Sequence, residues 1–364
     1  MDRVISFNTA DRPEFIKELR EKVNDYFNEN NISKQANSSM VIKTIILLCL
    51  YLVPYFLIVL NVFTNPYAVF SMWMIMAFGM AGIGFSIVHD ANHGAYSRSS
   101  YINKILENTI SIVGGYSATW KIQHNVLHHI YTNIHEYDED LDTNFLLRFT
   151  FQQKRLNIHR VQQYYAWFLY SLFTLSWTIK KDFSKLKLYK EKDLIKTQKL
   201  SYKQAMVRLI FSKLFYFSFI LMIPLIFSSQ PYWLTIIFYL SMHLVCGFLI
   251  AVIFQLAHKV TETSFPIPEE NGNIDNSWAV HQLYTTANFA TNNLLLSWFV
   301  GGLNFQIEHH FFPNICHVHY RKISGIVKEL VREYNLPYYE NSFWGAISSH
   351  ANYLMRLGKY DKLD

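Results

Sequence analysis

Four apolar runs decide what this chain can fold into. Val41 to Phe63 carries a single charge, Lys43, near one end, and Tyr67 to Val88 carries none. Two more runs follow, Met206 to Phe227 and Trp233 to Ala257. Each is close to the ~20 residues that a helix needs to cross a bilayer. Buried helices of soluble proteins rarely combine this length with so little charge. The expectation is therefore an all-α integral membrane protein with four transmembrane helices. The start, MDRVISFNTADRPEF, is polar and shows no cleavable signal peptide.

Charge distribution orients the spans. The net charge is +6, and nine lysines lie between Lys180 and Lys203, whereas the links Asn61 to Tyr67 and Ser228 to Tyr232 carry no charge. The positive-inside rule makes the lysine-rich stretch cytoplasmic and the two links external, which places both termini in the cytoplasm. Those lysines suit a solvated helix face, anionic headgroups or an acidic electron donor, and the basic balance is no nucleic-acid signature. Cys49, Cys246 and Cys316 form no CxxC pair, so neither disulfides nor thiolate metal sites are expected.

Residues 1–40 read as a soluble lead-in. Asp11 is expected to cap a helix, with Glu14 three residues on, and Phe15, Leu19, Val23 and Phe27 form one apolar stripe. A membrane domain at 41–340 follows, with a cytoplasmic helical cap built from 89–203 and 259–340, and then a tail at 341–364. Within the cap, Ile105 to Tyr116 and Tyr164 to Ile179 are apolar but too short to span, which suits interfacial helices.

The histidines carry the chemistry. His89 and His93 are four apart; His124, His128 and His129 form a second group; His309 and His310 form a third, with Gln306 where a histidine would complete the pattern. Residues three and four apart share a helical face, so each group can aim its imidazoles at one point. His258 ends the fourth span, and all these positions fall on the same side of the membrane in the topology above. Imidazole suits zinc, copper, iron and nickel. Structural zinc usually adds cysteine, and a zinc hydrolase pairs three ligands with a carboxylate in an arrangement that IEHH, with its Glu308, does not make. His89, His93, His124, His128, His129, His258, His309 and His310 are eight nitrogen donors, better matched to two metals than to one, and two oxygen-activating irons account for them best. Asp90 abuts the first group, and Asp138, Asp140 and Asp142 follow the second. Carboxylates of this kind fix the tautomer of a ligand imidazole, although a solvated acidic loop has the same composition. His281 reads as supporting or structural, His243 as packed or hydrogen-bonded within its span, and His317 and His319 as caps or supports.

The stretches HDANHGAYS, HNVLHHIYTN, FQLAH and GGLNFQIEHHFFP, in this order and separated by apolar runs, resemble the membrane fatty acid desaturases over roughly residues 40–340. The glutamine that opens the third box is similar to the front-end branch. Those enzymes add a double bond between an existing one and the carboxyl end of the chain, at delta-6 or delta-5. The resemblance implies two Fe2+ ions, O2, an acyl-lipid or acyl-CoA substrate, His258 as an added ligand, and Gln306 as a weak or water-mediated one. No HPGG heme motif of a fused cytochrome b5 is present, so electrons are expected from a separate ferredoxin, flavodoxin or free cytochrome. The size suits a stand-alone enzyme of a bacterial inner membrane. Two other readings stay open at this point: a histidine-box hydroxylase of alkyl, sterol or carotenoid substrates, and a non-enzymatic metal or heme carrier. A carrier would place its ligands near the bilayer midplane rather than at the ends of spans.

Overall fold

A computed structural model describes residues 4–143 and 145–361. The two ends of the lead-in and tail expected from sequence, and Asn144 within YDEDLDTN, lie outside the described residues. The chain divides into two compact units. One comprises Met1–Gln35, Gln123–Ala166 and Ile253–Asp364; the other comprises Ala36–Ile122 and Trp167–Val252.

The second unit carries the long apolar helices, except for the last six residues of the fourth, which belong to the first unit. Four helices are long and apolar enough to cross a bilayer: Ser38–Val59, Pro66–Asn92, Tyr202–Phe227 and Tyr232–His258. They match the four runs expected from sequence, with ends extended by a few residues where Asn37, Asn65 and Ser201 supply N-caps. The first two spans pack closely because of Gly79, where a Cβ would come within 2.7 Å of the Tyr51 backbone nitrogen. Tyr55 donates its hydroxyl to the Phe219 carbonyl at 2.9 Å, tying the first span to the third. A buried ion pair, Lys213 to Asp182 at 2.6 Å, sits in the same unit. Lys213 also donates to the carbonyls of Gly114 and Trp177, while Thr119 and the Trp177 indole donate to Asp182. His243 lies mid-span between the Tyr216 hydroxyl at 2.6 Å and Thr174 at 3.1 Å, the hydrogen-bonded role expected of it.

The first unit is helical with two short parallel strand pairs, Ser6–Phe7 with Asn273–Ile274 and Asn288–Phe289 with Glu340–Asn341. The helix Pro13–Glu29 lays Phe15, Leu19, Val23 and Phe27 onto a core formed with residues such as Leu283, Ile307, Ile323 and Val327. The stripe legible in sequence thus packs within this unit. Asp11 does not cap that helix. Arg12 occupies the capping position in a left-handed conformation (φ 47°), and the Asp11 carboxylate instead accepts from the Ser277 amide at 3.0 Å. It therefore braces the start of the helix Trp278–Thr285, whose own cap is Ser277. Buried Arg148 donates to the carbonyls of Leu357 and Tyr360 and so holds the end of the last helix, Phe343–Lys359.

Candidate metal centre

Three pieces of the first unit bring six histidines together. His124 and His128 lie on the π-helical turn Ile122–His128, with His129 directly after it. His258 ends the helix Tyr232–His258, and His309 and His310 lie on the short helix Gln306–Phe311. All six are buried.

The six fall into two groups. His128, His258 and His310 each offer a ring nitrogen within 4.8 Å of the others, and the Nε2 atoms of His128 and His258 are 3.3 Å apart. In the other group, the Nε2 atoms of His124 and His129 are also 3.3 Å apart, and the His309 ring lies 4.6 Å from that of His129 and 5.8 Å from that of His124.

The far side of the first group explains why its Nε2 atoms converge. His128 Nδ1 meets the Asp138 carboxylate at 3.1 Å and Asp140 at 3.3 Å. His258 Nδ1 donates to the Thr285 carbonyl at 3.1 Å, and His310 Nδ1 donates to the Gln282 side-chain oxygen at 2.6 Å. Each Nδ1 is thereby the protonated nitrogen, which leaves the lone pair on Nε2. Three neutral imidazoles with facing lone pairs repel one another unless a cation sits among them, so this donor set fits a bound metal. Burial pulls the His128 pKa down, but the charge and hydrogen bond of Asp138, with the charge of Asp140, carry it above the ordinary value. Those carboxylates favour a positive charge at this ring, and a metal at Nε2 supplies one.

Gln306 is fully buried and lies in the same group. Its Nε2 stands 2.9 Å from His258 Nε2, and its buried side-chain oxygen accepts no hydrogen bond among the described residues. The third box thus places an amide at His258 Nε2, the nitrogen that would face a metal held by this group. Glu308 points elsewhere. Tyr338 at 2.7 Å and Asn288 at 2.8 Å hold its two oxygens, and burial raises its pKa. It ties the box to the strand pair at Asn288–Phe289, which removes it from the role of a hydrolase base.

The other residues singled out from sequence are placed as follows. His281 gives its Nε2 to the Thr132 carbonyl at 2.9 Å and packs edge-on against Phe7, and burial lowers its pKa to about 4. His319 donates to the Gln35 carbonyl at 3.1 Å. In the second unit, His89 and His93 have ring centroids 4.9 Å apart, and the Trp120 ring lies edge-on to both. His89 Nδ1 is 3.8 Å from the Asp90 carboxylate, beyond hydrogen-bond reach. Sequence reasoning missed Gln282, Thr285 and Tyr320, the last with its hydroxyl 3.1 Å from His309 Nδ1. Gln282 adjoins His281, but nothing in its neighbourhood along the chain marks it as a partner of His310.

Four helices apolar enough to cross a bilayer, with two groups of converging buried imidazoles, fit the class of membrane metalloproteins. Comparison with known sequences specifies it further. The family model described as fatty acid desaturase matches residues 64–342. The sn-1 linoleoyl-lipid 6-desaturase of Synechocystis is 34% identical over 96% of this chain and 99% of that protein. The acyl-lipid (8-3)-desaturase of Physcomitrium patens is 31% identical over 97% of this chain and 74% of its own length. The Delta(5) fatty acid desaturase A of Dictyostelium discoideum is 28% identical, covering 95% and 75%. The chain belongs to the fatty acid desaturase family, whose members are oxidoreductases.

Proposed function

We propose that this protein is a front-end acyl-lipid desaturase that places a cis double bond at the delta-6 or delta-5 position, on the carboxyl side of an existing one, in a chain esterified to a membrane lipid. The convergence of His128, His258 and His310 on one point, with Gln306 beside them, carries the reading. The names of the Synechocystis and Physcomitrium relatives support the acyl-lipid substrate, and those of the Synechocystis and Dictyostelium relatives support the delta-6 or delta-5 position. We assign His89, His93, His124, His128, His129, His258, His309 and His310 to two irons, with Gln306 as a weak or water-mediated ligand. The assignment of His89 and His93 rests on their sequence pattern.

The reaction consumes the acyl chain, O2, two electrons and two protons, and yields the alkene and two waters. Bound iron supplies oxygen activation and removal of hydrogen from two adjacent methylenes. The protein's own residues set the frame. Asp138, the Thr285 carbonyl and Gln282 hold the far nitrogens of His128, His258 and His310, which fixes tautomer and ring orientation. Regiochemistry then depends on positioning alone, because the methylenes of a chain are chemically alike. A separate carrier such as ferredoxin, flavodoxin or a free cytochrome delivers the electrons. The site and both termini face the cytoplasm of a bacterial inner membrane, and the histidine-bearing segments form a cytoplasmic cap.

The test is a fatty acid profile of a bacterial host that expresses the chain, is fed linoleate and alpha-linolenate, and carries a ferredoxin system. A new double bond on the carboxyl side, absent in cells making His128→Ala, is the expected result. A hydroxylated product in its place would replace this reading with a hydroxylase.

A further inference from the structure

The second unit contains a cavity of about 490 Å³ that no histidine lines. Lys104, Lys121 and Arg208 line it, each from a different chain segment. Glu107, 2% exposed, pairs with both lysines. Arg208 makes no ion pair among the described residues. Three cations therefore face one carboxylate, and the cavity is left with a positive excess.

A second observation is independent of charge. Tyr116 also lines the cavity, is 7% exposed, and its hydroxyl makes no hydrogen bond among the described residues. A buried polar group left unpaired costs roughly 1–3 kcal/mol, so this hydroxyl is built to meet something. Burial raises its pKa to about 12 against the opposing pull of Arg208, which keeps the phenol protonated and a donor. A donor hydroxyl beside an unpaired guanidinium and two lysines is a site for an oxyanion.

The outer part of the cavity is apolar. Phe211 and Phe215 line it from the spanning helix Tyr202–Phe227, and their side chains are largely exposed on that span. Arg208 stands about 9 Å along the same helix from its first residue, at the depth where a basic side chain meets lipid headgroups. The volume lies within the roughly 300–1,000 Å³ of small-ligand pockets and exceeds what a bare oxyanion fills.

We propose that this cavity is a binding site for the anionic phosphate headgroup of a membrane lipid. Arg208, Tyr116 and the two lysines hold the phosphate, and Phe211 and Phe215 flank the glycerol and upper acyl carbons. No histidine lines the cavity, and the proposal does not depend on the desaturase reading.

The test uses the full-length protein in phosphatidylcholine nanodiscs containing a minor fraction of phosphatidylglycerol, with retained lipid read by native mass spectrometry. The wild type should retain phosphatidylglycerol over phosphatidylcholine, and Arg208→Gln should lower that retention about ten-fold. Tyr116→Phe removes one oxygen, leaves packing intact, and should lower it several-fold, which keeps the test decisive if the Arg208 variant does not fold. Equal retention in wild type and in a folded variant would overturn the site. Saturation by millimolar inorganic phosphate with no preference for the anionic lipid would overturn the lipid as occupant. Because the readout is bound lipid rather than turnover, failure here and failure of the desaturase reading are told apart.

Discussion

Asp138 shows how much one carboxylate does. It accepts from His128 Nδ1, from the Asn133 amide at 2.9 Å and from the Asp140 amide at 3.0 Å. The loop therefore holds the carboxylate before the carboxylate holds the ring. Asp138→Asn preserves an acceptor oxygen and removes the charge. Iron affinity and activity should fall about 10- to 100-fold while helical content stays unchanged. Iron per chain by plasma emission, beside circular dichroism, checks this. Asp138 was legible because it stands ten residues past His128 of the second histidine box, in an acidic run. Gln282 does the same service for His310 and was not, because its partner lies 28 residues away and a glutamine inside WAVHQLY resembles any polar helix position.

At the scale of elements, the spans and the helix Pro13–Glu29 followed from apolar length and periodicity. The π-helical turns did not. Ile83–Val88 leads into His89, and Ile122–His128 carries His124 and His128, where sequence reasoning assumed α-helical spacing. A turn closed by i→i+5 bonds is wider and re-aims the side chains that follow. The Lys213–Asp182 pair was equally hidden, since a lysine inside an apolar run reads as a blemish. Both partners are buried, so Lys213→Ala strands a carboxylate together with its donors. The loss of stability should be about 3–5 kcal/mol. A lower unfolding temperature in detergent, with an intact histidine cluster in the folded fraction, is the expected measurement. Lys213→Met with Asp182→Asn should recover part of it.

For the whole molecule, acid stability has an identifiable contributor. His350 is fully buried and donates to the Lys259 carbonyl at 2.6 Å, and burial holds its pKa at about 4. The ordinary value is near 6.5, so the unfolded chain takes up the proton first. The contribution is complete above about pH 6.5 and is lost as pH falls from there toward 4. It amounts to about 2 kcal/mol between pH 7.5 and 5. Replacing His350 with Asn, which retains a donor for that carbonyl, should flatten this part of the stability curve, measured by denaturation at the two pH values.

The unit that holds the histidine cluster is assembled from three separated lengths of chain. His258 is made 130 residues after His128. At ordinary rates of synthesis this is a delay on the order of ten seconds, during which two membrane spans are threaded. The early histidines thus leave the ribosome without the partners that would select a metal. A metal held by His128, His258 and His310 together would therefore bind only after the last part of the chain is made, with its identity set by the finished fold rather than by the nascent peptide.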